Sequence, residues 1–131
     1  MARKPVISIV DDDESAREGT ADLIKSLGFT AREFSHADGF LHSKIMARTA
    51  CLIADVRMPG MGGLELQRRL ALSQPKLPVV FITAHCADED VRSRTLKDGA
   101  VAYLSKPLSE EAVLSAVEAA LKTKGRGSGH E

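Results

Sequence analysis

The sequence has only two cysteines, equal numbers of acidic and basic residues, and no long apolar stretch. Each of these features excludes some classes of protein. Its 18 basic residues balance 18 acidic ones, so no overall field draws the chain to nucleic acid or to an anionic membrane. The two cysteines, Cys51 and Cys86, lie far apart without metal-ligand spacing. Neither a signal peptide nor a spanning helix is predicted. We therefore expect a cytoplasmic protein that contacts neither a membrane nor nucleic acid directly.

The length of 131 residues and the composition predict one folded domain. Hydrophobic residues make up 44% of the chain and charged residues 27%, as in soluble globular proteins. This length suffices to bury one core without disulfides. We assign residues 4–122 to the domain, and residues 123–131, which contain three glycines, to a flexible C-terminal tail or linker stub.

Apolar runs rich in β-branched residues predict the strands of a buried sheet. A weaker candidate, Thr30 to Phe34, is interrupted by Ala31 and Glu33, as expected of an edge strand half exposed to water. The four strong runs are Val6 to Val10, Cys51 to Ala54, Val79 to Ile82 and Val101 to Leu104.

Segments with helical periodicity separate these strands. The first helix has apolar residues three and four positions apart and ends before Gly28, a predicted C-terminal cap. The last helix begins behind Ser109, with two glutamates in its first turn. The middle helices are predicted at His36 to Met46, Gly63 to Leu72 and Asp88 to Lys97. Strand and helix thus alternate five times, which predicts an α/β fold with a parallel sheet and helices on both faces.

The helix at Asp88 to Lys97 is the least apolar, since only Val91 and Leu96 are strongly apolar. Two interpretations fit this composition. It is either an ordinary polar surface helix or an element that is weakly packed because it moves.

Polar side chains follow each of the four strong strands. In an open parallel α/β sheet, ligands bind beyond the carboxyl ends of the strands. Taken singly, each of these residues has an ordinary role as a helix cap, a turn former or a solvated loop residue. They are Asp11, Asp12 and Asp13 after the first run, Asp55 after the next, then Thr83, and finally Ser105 and Lys106.

Together these side chains predict a metal site at one edge of the sheet. Clustered carboxylates raise one another's pKa unless a cation neutralises them. Carboxylate oxygens and water suit a hard octahedral ion such as Mg²⁺, and the absence of a His or Cys cluster argues against zinc. Lys106 supplies a second positive charge.

In its motifs the sequence resembles the response-regulator receivers of two-component signalling, and within them FixJ-like receivers. The resemblance runs from about Val6 to Leu121. It rests on Ile-Val-Asp-Asp-Asp at 9–13, Asp-Val-Arg-Met-Pro-Gly-Met-Gly-Gly at 55–63, Phe-Ile-Thr-Ala-His at 81–85, Lys-Asp-Gly-Ala at 97–100 and Tyr-Leu-Ser-Lys-Pro at 103–107.

The resemblance implies a flavodoxin-like doubly wound (βα)5 fold with strand order 2-1-3-4-5. It implies that Asp55 accepts a phosphoryl group from a sensor histidine kinase, a phosphotransfer protein or a small phosphodonor. Mg²⁺ would be held by Asp12, Asp55 and the backbone carbonyl of Arg57, with Asp11 acting through water. An aspartate suffices as nucleophile, because a carboxylate needs no general base.

By the same resemblance, Thr83 and Lys106 bind phosphoryl oxygens and Tyr103 changes rotamer as the readout. The signal then leaves through the face formed by helix 4, strand 5 and helix 5, toward a downstream protein or a second copy of the chain. The Lys106-Pro107 peptide is expected to be cis. Arg57 and His85 flank the acceptor at variable positions and are expected to tune the phosphoryl lifetime.

A few residues fall outside this pattern. Asp13 is interpreted as charge at a helix start rather than as a metal ligand. Cys86 is interpreted as a plain small residue rather than a redox handle. The histidines His36, His42 and His130 match no site motif and are assigned to the surface.

Two other functions are weighed against the phosphorylation switch. An aspartate-nucleophile phosphatase would use a similar residue set, but such enzymes typically carry an aspartate two residues after the nucleophile, where this chain has Arg57. A constitutive, non-phosphorylated interaction module would lack a site residue, and none is missing. FixJ-like receivers are often followed by a DNA-binding domain, so the chain is either a single-domain regulator or a receiver separated from its output domain.

Overall fold

The computed structural model describes the backbone of residues 4–84 and 89–129, with side chains through residue 122. Within these residues, β-strands and α-helices alternate as expected. The strands are β1 (Val6–Val10), β2 (Thr30–Phe34), β3 (Cys51–Asp55), β4 (Val79–Thr83) and β5 (Ala102–Ser105). The helices are α1 (Glu14–Ser26), α2 (Ala37–Leu41), α3 (Gly63–Ser73), α4 (Glu89–Lys97) and α5 (Glu110–Gly129).

The five strands form one parallel sheet in the order β2-β1-β3-β4-β5, which confirms the predicted α/β fold and strand order. The weakest strand candidate, β2, lies at an edge, as its half-polar sequence predicted. The central strands β3 and β4 are buried along their whole length. Because β1 and β3 are neighbours, the acidic residues that follow them are brought to the same edge of the sheet.

Two apolar clusters fill the faces of this sheet. One joins the sheet to α1 and α5, and Ile24 and Val117 are fully buried in it. The other joins the sheet to α2 and α3 around Phe40 and Phe81. Helices therefore cover both faces, so the strands read as continuous apolar runs rather than as alternating patterns.

Helix ends follow the expected capping chemistry. The Asp13 side chain accepts hydrogen bonds from the backbone N–H groups of Ser15 (3.1 Å) and Ala16 (3.4 Å), so it is the N-cap of α1 and lies at a helix start as predicted. Ser109 Oγ accepts from the Ala112 N–H at 3.0 Å in the first turn of α5. Gly28 follows α1 with φ +97°, a conformation that favours glycine.

Most predicted bounds agree with the structure within one residue, but those of α2 and α5 differ by more. The helix expected at residues 36–46 is only Ala37–Leu41, followed by a short 3₁₀ turn at Met46–Arg48. Ser43 Oγ accepts from the Ile45 N–H at 3.1 Å, and this local side-chain bond competes with helix continuation. At the other end, α5 continues through Gly129, while the assignment of residues 123–131 to a tail or linker stub stays a prediction.

Helix α4 buries little of its surface, in agreement with its poorly apolar sequence. Thr95 is its one buried residue among those described. Gln67 of α3 donates a hydrogen bond from Nε2 to the Thr95 carbonyl at 2.9 Å. The Gln67 Oε1 atom is buried and has no hydrogen-bond partner among the described residues.

None of the helices described is long and apolar enough to cross a membrane.

Candidate functional site

Three carboxylates meet at the carboxyl ends of β1 and β3. Val10 pairs with Ala54 in the sheet, so Asp11 and Asp55 follow at adjacent positions on neighbouring strands. Asp11 is fully buried, Asp55 is 6% exposed and Asp12 is exposed. One carboxylate oxygen from each of the three lies within 4.8 Å of the others. The structure therefore brings together the acidic residues that the sequence singled out.

Lys106 reaches this acidic cluster from the loop after β5. Its Nζ lies 3.0 Å from Asp11 Oδ2 and 3.0 Å from Asp55 Oδ2. The Lys106-Pro107 peptide is cis, as expected. Three ionised carboxylates carry a formal charge of −3 and Lys106 carries +1, which leaves −2. A divalent cation would neutralise this remainder.

Backbone groups hold the two buried carboxylates in fixed orientations. The Asp13 N–H donates to Asp11 Oδ1 at 3.0 Å, and the Arg57 N–H donates to Asp55 Oδ1 at 2.9 Å. Since the second oxygen of each carboxylate binds Lys106, both acids are held at both oxygens. Such a preorganised set of oxygens suits a cation or a transferring phosphoryl group.

Burial and charge shift the pKa of two groups in the site. Burial raises the pKa of Asp11, and the nearby negative charge of Asp55 adds to this, while hydrogen bonds from the Asp13 backbone and Lys106 oppose it without cancelling it. Burial alone would lower the pKa of Lys106, but its hydrogen bonds to Asp55 and Asp11 together raise it above the usual value. The environment of Asp11 therefore disfavours its charged form, whereas the environment of Lys106 favours its charged form.

The remaining predicted site residues surround this cluster. Thr83 is buried at the end of β4, and its carbonyl accepts from the Lys106 N–H at 2.8 Å. Tyr103 pairs with Phe81 in the sheet and packs, half-buried, on the cluster that includes Val91 of α4. Thr83 therefore lies beside the acidic cluster, and Tyr103 shares an apolar cluster with a residue of α4.

Several predicted residues lie at the edge of the site or outside the described part of the chain. The Arg57 side chain is exposed, while its backbone N–H binds Asp55. His36 and His42 are exposed, as predicted. His85, Cys86 and His130 lie outside the described residues.

Two residues that the sequence reading did not single out support the site. Gly63 begins α3, and a Cβ atom there would lie 2.9 Å from Val56 Cα and 3.0 Å from Phe81 Cε1. The Gly-Gly pair at 62–63 is the sequence feature from which this close packing of α3 on Val56 and Phe81 could have been predicted. Arg17 of α1 donates from Nη1 to the Asp11 carbonyl at 2.9 Å, and nothing in its sequence context marked it.

The donor set of the cluster fits Mg²⁺. Its protein ligands are carboxylate oxygens, the cluster contains no His or Cys among the described residues, and the oxygens converge within 4.8 Å. Zinc sites usually include His nitrogen or Cys sulfur ligands, and the cluster contains neither among the described residues. The predicted hard-cation site therefore agrees with the geometry.

Comparison with known proteins places these features in one family. The model of the response regulator receiver domain matches residues 7–118. Response regulator protein TmoT of Ectopseudomonas mendocina is 40% identical over 120 residues, covering 92% of this chain and 54% of that protein. Transcriptional regulatory protein FixJ of Bradyrhizobium diazoefficiens is 33% identical over 122 residues, covering 93% of this chain and 59% of that protein. The chain thus spans about half the length of the curated relatives it matches.

Solved structures agree with this result. The response regulator StyR superposes with a TM-score of 0.84 at 41% identity, covering 96% of this chain and 63% of that one. The crystal structure of FixJ-N superposes with a TM-score of 0.83 at 31% identity, covering 92% of this chain and 96% of that one.

Proposed function

The chain belongs to the response regulator receiver domain family of two-component signalling, and on this premise we propose that it is a phosphorylation switch in which Asp55 accepts a phosphoryl group beside Mg²⁺. The observation that carries the proposal is the contact of Lys106 with two buried carboxylates, 3.0 Å from each, in an acidic cluster that still carries excess negative charge. This arrangement supplies a nucleophile, a cation site and a fixed positive charge at one point.

In the proposed reaction, a carboxylate oxygen of Asp55 attacks the phosphorus of a phosphohistidine. The new O–P bond forms as the P–N bond breaks, and the bonding pair leaves with the imidazole nitrogen. No proton has to be removed from the nucleophile, so the site needs no general base. The barrier is lowered by positioning and by neutralisation of charge on the phosphoryl oxygens. The proposed role of the chain is accordingly signalling, with phosphotransfer only to itself and slow autodephosphorylation.

We assign the cation to Asp12, Asp55 and the Arg57 backbone carbonyl, with Asp11 acting through water. Bound Mg²⁺ supplies charge neutralisation for the transferring phosphoryl group. Lys106 and the Thr83 hydroxyl are the proposed phosphoryl-oxygen ligands. Two observations support these roles: Lys106 already contacts the acceptor, and its backbone N–H is bonded to Thr83.

The proposed output surface is the face formed by α4, β5 and α5. Its support is the small buried part of α4, whose one buried residue among those described is Thr95, and the packing of Tyr103 on the same apolar cluster as Val91 of that helix. An element with few buried contacts changes position at low free-energy cost. Arg57 and His85 remain the proposed determinants of phosphoryl lifetime.

The proposed donor is a sensor histidine kinase or a phosphotransfer protein in the cytoplasm. The proposed receiver of the signal is a downstream protein or a second copy of the chain, without direct contact of this chain to nucleic acid. Because the curated relatives are about twice as long, the alternative is an output domain on the same polypeptide.

Mass spectrometry after incubation with acetyl phosphate and Mg²⁺ tests the proposal. We expect one phosphoryl group on the wild type, labile to hydroxylamine, and none on Asp55→Asn. Asp38→Asn, which changes an aspartate in the first turn of α2, is the control and should be phosphorylated normally. A wild type that gains nothing, or an Asp55→Asn variant that gains as much, contradicts the proposal. Multiple turnovers of a phosphate ester would favour the phosphatase alternative.

A further inference from the structure

Arg17 connects the acidic cluster to the edge of the sheet. It is the fourth residue of α1, and its Nη1 donates to the Asp11 carbonyl at 2.9 Å. Its Nε lies 3.3 Å from Glu33 Oε1 on the edge strand β2. The Arg17 side chain is only 16% exposed, whereas that of Glu33 is 34% exposed. The guanidinium is therefore held in place between a carboxylate and a backbone carbonyl of the site.

The Asp11 carbonyl belongs to the peptide that joins Asp11 to Asp12. Two further hydrogen bonds hold the same segment, since the Asp11 N–H donates to the Phe34 carbonyl at 3.1 Å and the Asp13 N–H donates to Asp11 Oδ1 at 3.0 Å. Arg17 provides the third, at the carbonyl of the Asp11-Asp12 peptide. Asp12 is exposed, so its orientation depends on this backbone rather than on side-chain packing.

We propose that Arg17, oriented by Glu33, is a positioning residue for the Mg²⁺ site, acting through the Asp11-Asp12 peptide and not as a ligand. The inference rests on the proposed function, because it assumes that Asp12 binds the cation. Loss of a group that orients a metal ligand typically lowers metal affinity about 10- to 100-fold. The planar fork of arginine bonds Asp11 and Glu33 at once, which the single ammonium of lysine does not reproduce.

Charge and positioning predict opposite effects at Arg17, which makes the proposal testable. A cation next to an acidic cluster repels Mg²⁺, so if charge alone mattered, removing it would tighten Mg²⁺ binding. If Arg17 positions the ligands, removing it weakens binding despite the lost repulsion. Arg17→Lys keeps the charge and loses the bridging geometry, whereas Arg17→Met loses both.

Titration calorimetry with MgCl₂ on the full chain distinguishes the two effects. We expect the Mg²⁺ Kd to rise about tenfold in Arg17→Met, at the lower end of the range for groups that orient metal ligands. We expect a smaller rise, about threefold, in Arg17→Lys and in Glu33→Gln, since a partly exposed ion pair contributes little by itself. Arg69→Met is the matched control, because it removes an exposed arginine–glutamate pair within α3, and it should leave Kd unchanged.

The outcomes separate this inference from the proposed function. If the wild type binds no Mg²⁺, the proposed function fails. If the wild type binds Mg²⁺ but Arg17→Met binds it equally or more tightly while Arg17→Lys is unchanged, only the positioning role is refuted. Should Arg17→Met fail to fold, Arg17→Lys decides the question, because it keeps the charge and loses only the bridge between the Asp11 carbonyl and Glu33. A Kd for Arg17→Lys equal to that of the wild type then refutes the proposal.

Discussion

Asp11→Asn should stabilise the metal-free protein. The Asp11 side chain is fully buried, and its pKa is raised first by burial and then by the charge of Asp55. Burying a carboxylate costs several kcal/mol, which the 3.0 Å contact with Lys106 offsets only in part. Asparagine keeps an oxygen for the Asp13 N–H, while its amide nitrogen, a donor, replaces the oxygen that Lys106 contacts, so Lys106 must turn to Asp55 as its remaining partner. We expect the free energy of unfolding to rise by about 1 to 2 kcal/mol at neutral pH.

The pH dependence of stability gives the same prediction a second test. A carboxyl group whose pKa is raised by folding binds its proton more tightly in the folded state. Its contribution to stability is fully present below the ordinary aspartate pKa and is lost as pH rises through the raised folded value. The advantage of Asp11→Asn should therefore be largest at neutral pH and should shrink as the pH falls toward the ordinary value. Urea denaturation in EDTA across this range measures it.

Mg²⁺ should reduce the stability advantage of Asp11→Asn over the wild type. A ligand present at ten times its Kd stabilises the folded state by about 1.4 kcal/mol, and Asp11→Asn should gain less than the wild type because it has lost one anionic group of the site. Asp12→Asn is the control, since Asp12 is exposed and its replacement should change metal-free stability by less than about 0.5 kcal/mol. A metal-free Asp11→Asn that is less stable than the wild type refutes the reasoning, because the Lys106 contact would then outweigh burial and repulsion.

Three further substitutions test the packing and charge of the site. Lys106→Met should lower metal-free stability by about 3 kcal/mol in urea denaturation, because Asp11 and Asp55 lose their shared cation, and Mg²⁺ should restore part of it. Gly63→Ala should cost about 1 to 3 kcal/mol, because its methyl group would lie 2.9 Å from Val56 Cα. Asp13→Ala should lower the thermal midpoint through loss of about 1 kcal/mol of N-cap stabilisation, without abolishing Mg²⁺ binding.

Matched control substitutions show whether these losses of stability are specific to the site or follow from any substitution in the domain. Lys97→Met, near the end of α4, should change stability by less than about 0.5 kcal/mol, and equal loss in Lys106→Met and Lys97→Met would contradict the charge argument. Gly19→Ala, where a Cβ atom meets nothing within 4 Å, should be neutral or stabilising. If Asp13→Ala abolished Mg²⁺ binding, its assignment as a cap rather than a ligand would be wrong.

Much of the fold was readable from sequence because its signals are local. The predicted strand at residues 79–82 and the predicted helix at 63–72 match the observed elements within one residue, since apolar runs and helical periodicity reflect burial on both faces of a parallel sheet. The placement of Asp11 and Asp55 beside Lys106 followed from a general rule, because the carboxyl ends of parallel strands share one edge.

Other features were missed because they depend on side-chain hydrogen bonds that apolar patterns do not record. The early end of α2 was missed because the Ser43 hydroxyl competes for a backbone group, which periodicity does not register. The bond from Gln67 to the Thr95 carbonyl was also missed, because a glutamine on an amphipathic helix looks solvent-facing until its neighbour is placed.

By itself, the sequence determined which residues form strands and helices, and which acids, hydroxyl and lysine follow the strands, because these depend on residue type and short spacing. Only the tertiary structure decided that Arg17 turns back to the Asp11 carbonyl while Glu33 holds it from the edge strand. It also decided that Asp11, and not Asp12, is the buried one of the consecutive aspartates that follow β1. Orientation and burial are set by packing between separate elements, so they become defined only when the sheet and helix α1 are assembled.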